Sequence, residues 1–418
     1  MTKSGPYQTS ELGPLRLVII LADESANWKI AGLRQLDRLL LSVAEFARTN
    51  QPGARIDVRI IWDERVDARS RCEPANAALA NIETAHSIHD VSIPDGEASV
   101  VLSTRLVPSR VRFAEVIAAL ANDPLDLRNT AVEETERQLN ARLRTAVDGG
   151  WDYLASRDEI AAAEQRFLKQ NGKSQDGLAS RFVNRPLSRL VTRWLLKSSI
   201  TPSTWSVLIF ALPLCAAGAF LSGTYSSFLL GCVIFQLYSI LDGCDGEIAR
   251  ARFLESEFGR RLDSFCDLLG NLLLALTLGI GLARHAEAGG APNSWLYLAE
   301  GIAAAGLIVL SEGIVFVRRT RPDGAQQQQP TRWNGALYQR HHEFLERSGI
   351  LLLGERFAWW LVQLTKRDMA MLAFVLLALV GWPQCILHLL LAVSGVSSAL
   401  AGNAFLRPAA PAIAQEAT

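Results

Sequence analysis

The sequence predicts an α-helical membrane protein with six transmembrane helices, preceded by a soluble α/β domain. Three observations predict it. Short β-branched runs alternate with helix-period stretches over the first 170 residues. Long apolar runs fill the C-terminal part. Basic residues crowd alternate connections between those runs, as they do on the cytoplasmic side of a membrane. The 418 residues suffice for two or more domains. Lys and Arg number 42, as do Asp and Glu, so the formal net charge is zero and no global field argues for nucleic acid.

Residues 1–14 are polar and read as a flexible N-terminus, with no apolar core of a secretory signal. Residues 15–170 form the α/β domain. LRLVIILA (15–22) reads as a buried strand, with further strands at 56–62 and 98–103. Helices are expected at 30–48, 110–121 and 131–147, so the sheet is largely parallel. The first strand–helix turn, ADESANWK, lacks the glycines that let backbone amides approach a phosphate.

Residues 171–200 hold a polar hinge, NGKSQD, and a basic amphipathic helix. Arg181, Arg185, Arg189, Arg193 and Lys197 recur every fourth residue. Phe182, Leu187, Leu190, Val191, Trp194 and Leu195 lie largely to the other side, a pattern suited to an anionic membrane surface. Pro186 kinks this helix or marks its start. Apolar segments follow at 203–222, 224–242, 263–283, 295–317, 369–383 and 385–405, within a six-helix domain over 201–406 and before a tail at 407–418. The fifth and sixth are short or broken by Gly and Ser, and Trp359 and Trp360 suggest a separate interfacial helix.

The connection after segment two carries Arg250, Arg252, Arg260 and Arg261. That after segment four carries Arg318, Arg319, Arg321, Arg332, Arg340, Arg347 and Arg356. The opposite turns are poor in charge. Both termini and the stretch 242–267 are therefore expected on the cytoplasmic side of the inner membrane. Cys72, Cys215, Cys232, Cys244, Cys266 and Cys385 have no CxxC spacing and read as buried free thiols.

The stretch DGCDGEIARARFLESEFGRRLDSFCD carries Asp242 and Asp245, three apart, and Asp263 and Asp267, four apart. Each pair shares one helix face. Four carboxylates converging beside hydrocarbon would repel one another without a cation, and a hard divalent metal is the obvious candidate.

Asp242, Asp245, Gly246, Ala249, Arg250, Gly259, Asp263 and Asp267 fill every fixed position of D-x-x-D-G-x-x-A-R, eight residues, G-x-x-x-D-x-x-x-D. This resembles the CDP-alcohol phosphatidyltransferase family, and the resemblance covers roughly 176–406. It implies an integral membrane transferase that moves a phosphatidyl or related phospho-alcohol group from a CDP-linked donor to an alcohol, releasing CMP. It also implies a role in phospholipid biosynthesis, with CDP-diacylglycerol as the expected donor and membrane lipids as surroundings. Mg²⁺ or Mn²⁺ is implied, held by Asp242, Asp245 and Asp263, with Asp267 as general base that also reaches the metal. Gly246, Ala249, Arg250 and Gly259 fall to the CDP donor, and Arg260, Arg261 and Arg367 to the acceptor. Lys366-Arg367-Asp368 resembles a basic–acidic pair of the family. Where the family has TPN followed by T, this chain has Thr201-Pro202-Ser203 and Ser206.

Residues 15–170 look like a remnant of the nucleotidyltransferase-like domain fused to some members, as in inositol-phosphate cytidylyltransferase/di-inositol-phosphate-phosphate synthase enzymes. Only Lys29 could replace the loop's basic residue, so this domain is expected not to make a CDP donor and to serve as scaffold, dimer contact or sensor. A homodimer is one candidate assembly. Within the class, the alternative is a di-inositol-phosphate-type polyol phosphodiester synthase. From another class it is a cation-binding transporter, which would spread polar residues through several spans. Among the remaining polar residues, Glu312 lies inside segment four, His341-His342-Glu343 reads as loop, and His388 reads as a helix contact.

Overall fold

The computed structural model describes residues 15–53, 56–67, 71, 81–85, 99–121, 132–147, 149–171, 179–320, 354 and 367–406. The chain divides into two compact units. One gathers residues 1–172, 195–199 and 249–254; the other holds the rest.

The first unit is built on parallel strands β1 (Leu17–Ala22), β4 (Asp57–Trp62), β5 (Asn81–Ala85) and β6 (Ser99–Ser103), in the order β5-β4-β1-β6. Ile20 of β1 lies between Ile60 and Leu102. Every β1 side chain is buried, as expected for a strand covered on both faces. Helix α1 (Gln35–Asn50) lays Leu36, Leu39, Leu40, Val43 and Phe46 in the core, and Phe46 meets Phe113 of α2 (Phe113–Ala121) edge to face. Helix α3 (Val132–Ala146) adds Leu139 and Leu143.

Two expectations shift here. Residues 30–34 are not helical: β2 (Lys29–Ile30) and β3 (Leu33–Arg34) form a tight hairpin. Its turn residues Ala31 and Gly32 both have positive φ, the geometry of a two-residue hairpin, so α1 begins only at Gln35. Strand β5 was not foreseen because NIETA is too polar to read as a strand; it sits at the end of the sheet order. Strands β7 (Leu106–Pro108) and β8 (Trp151–Tyr153) pair antiparallel, followed by α4 (Ile160–Gln170).

Residues 249–254, which close a long helix, belong to this first unit. Arg38, fully buried, donates to the carbonyl of Ala251 at 3.1 Å and to that of Ile30. Arg110, paired with Glu45, donates to the carbonyl of Arg250 at 3.1 Å and lies over the Phe253 ring. Two cations thus meet the last carbonyls of a helix, where the dipole favours them. Burial pulls the Arg38 guanidinium down to about 9, which leaves it charged at neutral pH. Phe253, at φ +56°, stops the helix.

The second unit is helical: α5 (Arg185–Leu195), α6 (Pro202–Ile209), α7 (Ala211–Leu221), α8 (Tyr225–Arg252), α9 (Glu257–Ala288), α10 (Trp295–Thr320), α11 (Arg367–Val380) and α12 (Pro383–Leu406). Thr201 caps α6, with Pro202 at its first position. Among the described residues four helical stretches are long and apolar enough to cross a membrane: 202–221, 225–252, 257–288 and 295–314. The described apolar part of α11 and that of α12 are shorter. At 1.5 Å per residue the 14 residues of α11 fall short of a hydrocarbon core of about 30 Å. The core includes Phe220, Phe228, Phe235, Leu274, Leu278 and Phe374. Gly281 permits the closest approach: a Cβ there would stand 2.0 Å from the Phe220 carbonyl oxygen.

Five cysteines lie among the described residues, all free; Cys232, Cys244 and Cys266 are buried and Cys215 is exposed. His388 touches another helix, as expected, through Glu300 of α10. Glu312 is exposed on α10. Residues 1–14, 171–176 beyond Asn171, 321–353, Trp359, Trp360, Lys366 and the tail lie outside the described residues, as does Cys72.

Candidate active site

Helices α8 and α9 are joined by only four residues, Phe253 to Ser256. Ser256 caps α9, its Oγ accepting from the Gly259 amide at 3.0 Å. Such a short connection sets residues at similar distances from the turn opposite one another. Asp245 lies seven residues before the end of α8, and Asp263 six after the start of α9.

Asp242, Asp245 and Asp263 accordingly converge, with one carboxylate oxygen of each within 4.8 Å of the others. Two metal–oxygen bonds of about 2.1 Å span about 4.2 Å, so small side-chain rotations would let all three meet one Mg²⁺-sized ion. An all-oxygen donor set suits Mg²⁺ or Mn²⁺ rather than zinc. Asp245 is nearly buried, and its carboxylate accepts from Ser206 Oγ of α6 at 2.6 Å. Ser206 is also anchored to the Pro202 carbonyl, and Trp205 Nε1 donates to the Leu241 carbonyl at 2.9 Å. Helix α6 therefore braces the acidic turn of α8. A hydroxyl at 206 was legible in the sequence, kept where Ser203 replaces the Asn of the family pattern; its partner was not.

Asp267 follows one turn after Asp263 and is not in the converging trio. Its carboxylate accepts from the hydroxyl of the buried Tyr238 at 3.2 Å. Nothing in the sequence singled out Tyr238, which lies four residues before Asp242 on α8.

The other expected site residues scatter more. Gly259 sits in the first turn of α9, where a Cβ would meet Ser256 Oγ at 3.1 Å. Gly246 follows Asp245 within α8 and its amide donates to the Asp245 carboxylate. The Ala249 carbonyl accepts from the Leu254 amide, and Arg250 Nε donates to the Asn171 carbonyl at 2.9 Å. Arg260 is exposed, and Arg261 pairs with Glu257 one turn away on the surface. Arg367 begins α11, and its side chain lies outside the described residues. Asp368 accepts from the Ser180 amide at 2.6 Å.

Of the basic stripe, Arg181 and Lys197 are exposed, and Arg185 alone turns inward. Arg185 is buried and bonds Glu247 of α8 at 3.1 Å, while Phe182, Leu190 and Trp194 are exposed. Glu247 is a carboxylate that spacing alone did not single out.

Helices long and apolar enough to cross a membrane thus carry a cluster of three carboxylates that could hold a metal ion. Residues 199–340 match the family model of CDP-alcohol phosphatidyltransferase, and the chain carries a domain of that family. It is 33% identical over 186 residues to a "Bifunctional IPC transferase and DIPP synthase" of Rubrobacter xylanophilus, covering 44% of this chain and 38% of that protein. A protein of the same name from Thermococcus kodakarensis is 38% identical over 125 residues, 29% of this chain and 28% of its own length. Another from Aquifex aeolicus is 34% identical over 118 residues, covering 28% and 26%. The matched part of this chain thus spans well under half the length of these relatives.

Proposed function

We propose that the protein is an integral membrane phosphotransferase that moves a phospho-alcohol group from a CDP-linked donor to an alcohol and releases CMP. The observation that carries this is the convergence of Asp242, Asp245 and Asp263 within the matched family domain. These three would hold Mg²⁺ or Mn²⁺, which supplies charge neutralisation at the donor pyrophosphate. Asp267 takes the proton of the acceptor hydroxyl, and Tyr238 orients it for that task. Ser206 fixes the Asp245 carboxylate. Six spans, with the site and both termini on the cytoplasmic side of the inner membrane, complete the reading; the basic connections support it.

The names of the relatives favour a polyol-type reaction over a phosphatidyl one, so the preferred donor is a CDP-polyol and the preferred acceptor a polyol phosphate. The α/β domain does not make that donor. In support, the strand ends of β1 and β6, where open α/β sheets bind ligands, carry a 3-10 turn at Glu24–Asn27 and the Arg105–Asp23 ion pair. Lys29 is exposed on the hairpin. The test incubates membranes carrying the protein with CDP-inositol or CDP-diacylglycerol and a panel of alcohols. Acceptor-dependent CMP release with CDP-inositol supports the polyol reading; release only with CDP-diacylglycerol returns it to phospholipid synthesis.

A further inference from the structure

The acidic turn of α8 reads Asp242-Gly243-Cys244-Asp245-Gly246. Two glycines in five residues make it a weak stretch of helix. A turn that must hold two carboxylates against their repulsion needs support from outside. The support lies on the far side of the helix. Glu247 follows Asp245 by two residues, about 200° around the axis.

Glu247 is 4% exposed and fully engaged. One oxygen accepts from Arg185 Nη1 at 3.1 Å and Ser188 Oγ at 2.8 Å; the other accepts from Thr192 Oγ1 at 2.7 Å. The same Arg185 nitrogen reaches the Gly243 carbonyl at 3.4 Å, and Cys244 Sγ donates to the Ser188 carbonyl at 3.4 Å. A Cβ on Gly243 would stand 2.9 Å from Arg185 Nη1, so the glycine makes room for the guanidinium. Residues 242 and 245 thus face the cation cage, while 243, 244 and 247 are gripped by α5. The apolar side of this segment faces away, with Phe182 71% and Trp194 73% exposed. Polar bonds, rather than apolar burial, therefore set the register between α5 and α8.

Resting on the metal-site reading above, we infer that Glu247 is a positioning residue: through Arg185, Ser188 and Thr192 it holds the acidic turn in its metal-binding geometry. Partners that orient metal-binding side chains typically cost about 10–100-fold in metal affinity when removed. Mn²⁺ binding to the purified full-length protein in detergent, followed by the electron paramagnetic resonance signal of free Mn²⁺, reads this directly. Glu247→Gln should weaken Mn²⁺ binding about tenfold or more. The metal concentration for half-maximal turnover should shift by the same factor, with KM for the CDP donor unchanged. The double variant Arg185→Gln/Glu247→Gln should recover part of the loss, because it removes the stranded buried guanidinium. Mn²⁺ binding within twofold of wild type in Glu247→Gln overturns the inference. Should that variant not fold, Ser188→Ala keeps both charges: it must still weaken Mn²⁺, and unchanged binding overturns the inference equally. Wild-type protein that binds no Mn²⁺ overturns the metal-site reading itself, a distinguishable failure.

Discussion

The guanidinium of Arg105 sits on the carboxylate of Asp23 at 2.6 Å, at the C-terminal ends of β6 and β1. Around this pair, Ser103 Oγ donates to Glu136, the hydroxyls of Ser25 and Thr104 are 2.7 Å apart, and Trp28 lies beside the guanidinium. A nucleotide phosphate would have to displace that network. The α/β domain is accordingly expected to leave CTP and polyol phosphates unconverted, and isolated membranes assayed for CTP-dependent formation of a CDP-polyol should show none above background.

Burial raises the pKa of Glu136, only partly offset by its hydrogen bond from Ser103 and by Arg105. A carboxylate whose folded value is raised gives stability that is full below its unfolded value and is lost as pH climbs through the folded one. Thermal unfolding of the α/β unit, followed by tryptophan fluorescence, should therefore occur at lower temperature as pH rises above the ordinary glutamate value. Glu136→Gln should flatten that dependence.

Arg38 serves two backbone carbonyls from a fully buried position. Arg38→Met keeps much of the volume but strands those acceptors, at about 1–3 kcal/mol each. Hydrogen exchange should show faster opening of the amides in α1 and at residues 249–254, while Arg38→Lys should restore part of the protection.

Ser206→Ala removes the donor on Asp245 and leaves the carboxylate freer to rotate. The metal requirement should rise about tenfold, measured as the Mg²⁺ concentration for half-maximal CMP release. Asp267→Asn should act differently. It should lower kcat by about 10²–10⁴-fold, the usual share of a general base, with the metal requirement little changed.

Much of this was legible in the sequence because it rests on local spacing. Asp242, Asp245 and Asp263 declare themselves by helical period beside apolar runs, and the short α8–α9 connection brings them together. Strand β1 is buried throughout and reads as an unbroken apolar run, and β4 and β6 each carry a shorter apolar run, Ile60–Trp62 and Val100–Leu102. The hairpin at 29–34 was missed because its apolar residues also fit a helical period, and only the paired positive φ values of Ala31 and Gly32 distinguish it. Tyr238, Ser206 and Glu247 acquire meaning from partners on other helices, 29, 39 and 55–62 residues away. The inward turn of Arg185 was not legible for the same reason: its partner Glu247 lies 62 residues away on another helix.

The most direct test of the central claim is acceptor-dependent CMP release from a CDP-linked donor by membranes carrying the protein, with and without Mg²⁺ or Mn²⁺. The account predicts release that requires the divalent ion and falls to background in Asp242→Asn, Asp245→Asn and Asp263→Asn. Release that survives chelation, or that any of these three variants supports at the wild-type rate, would contradict it.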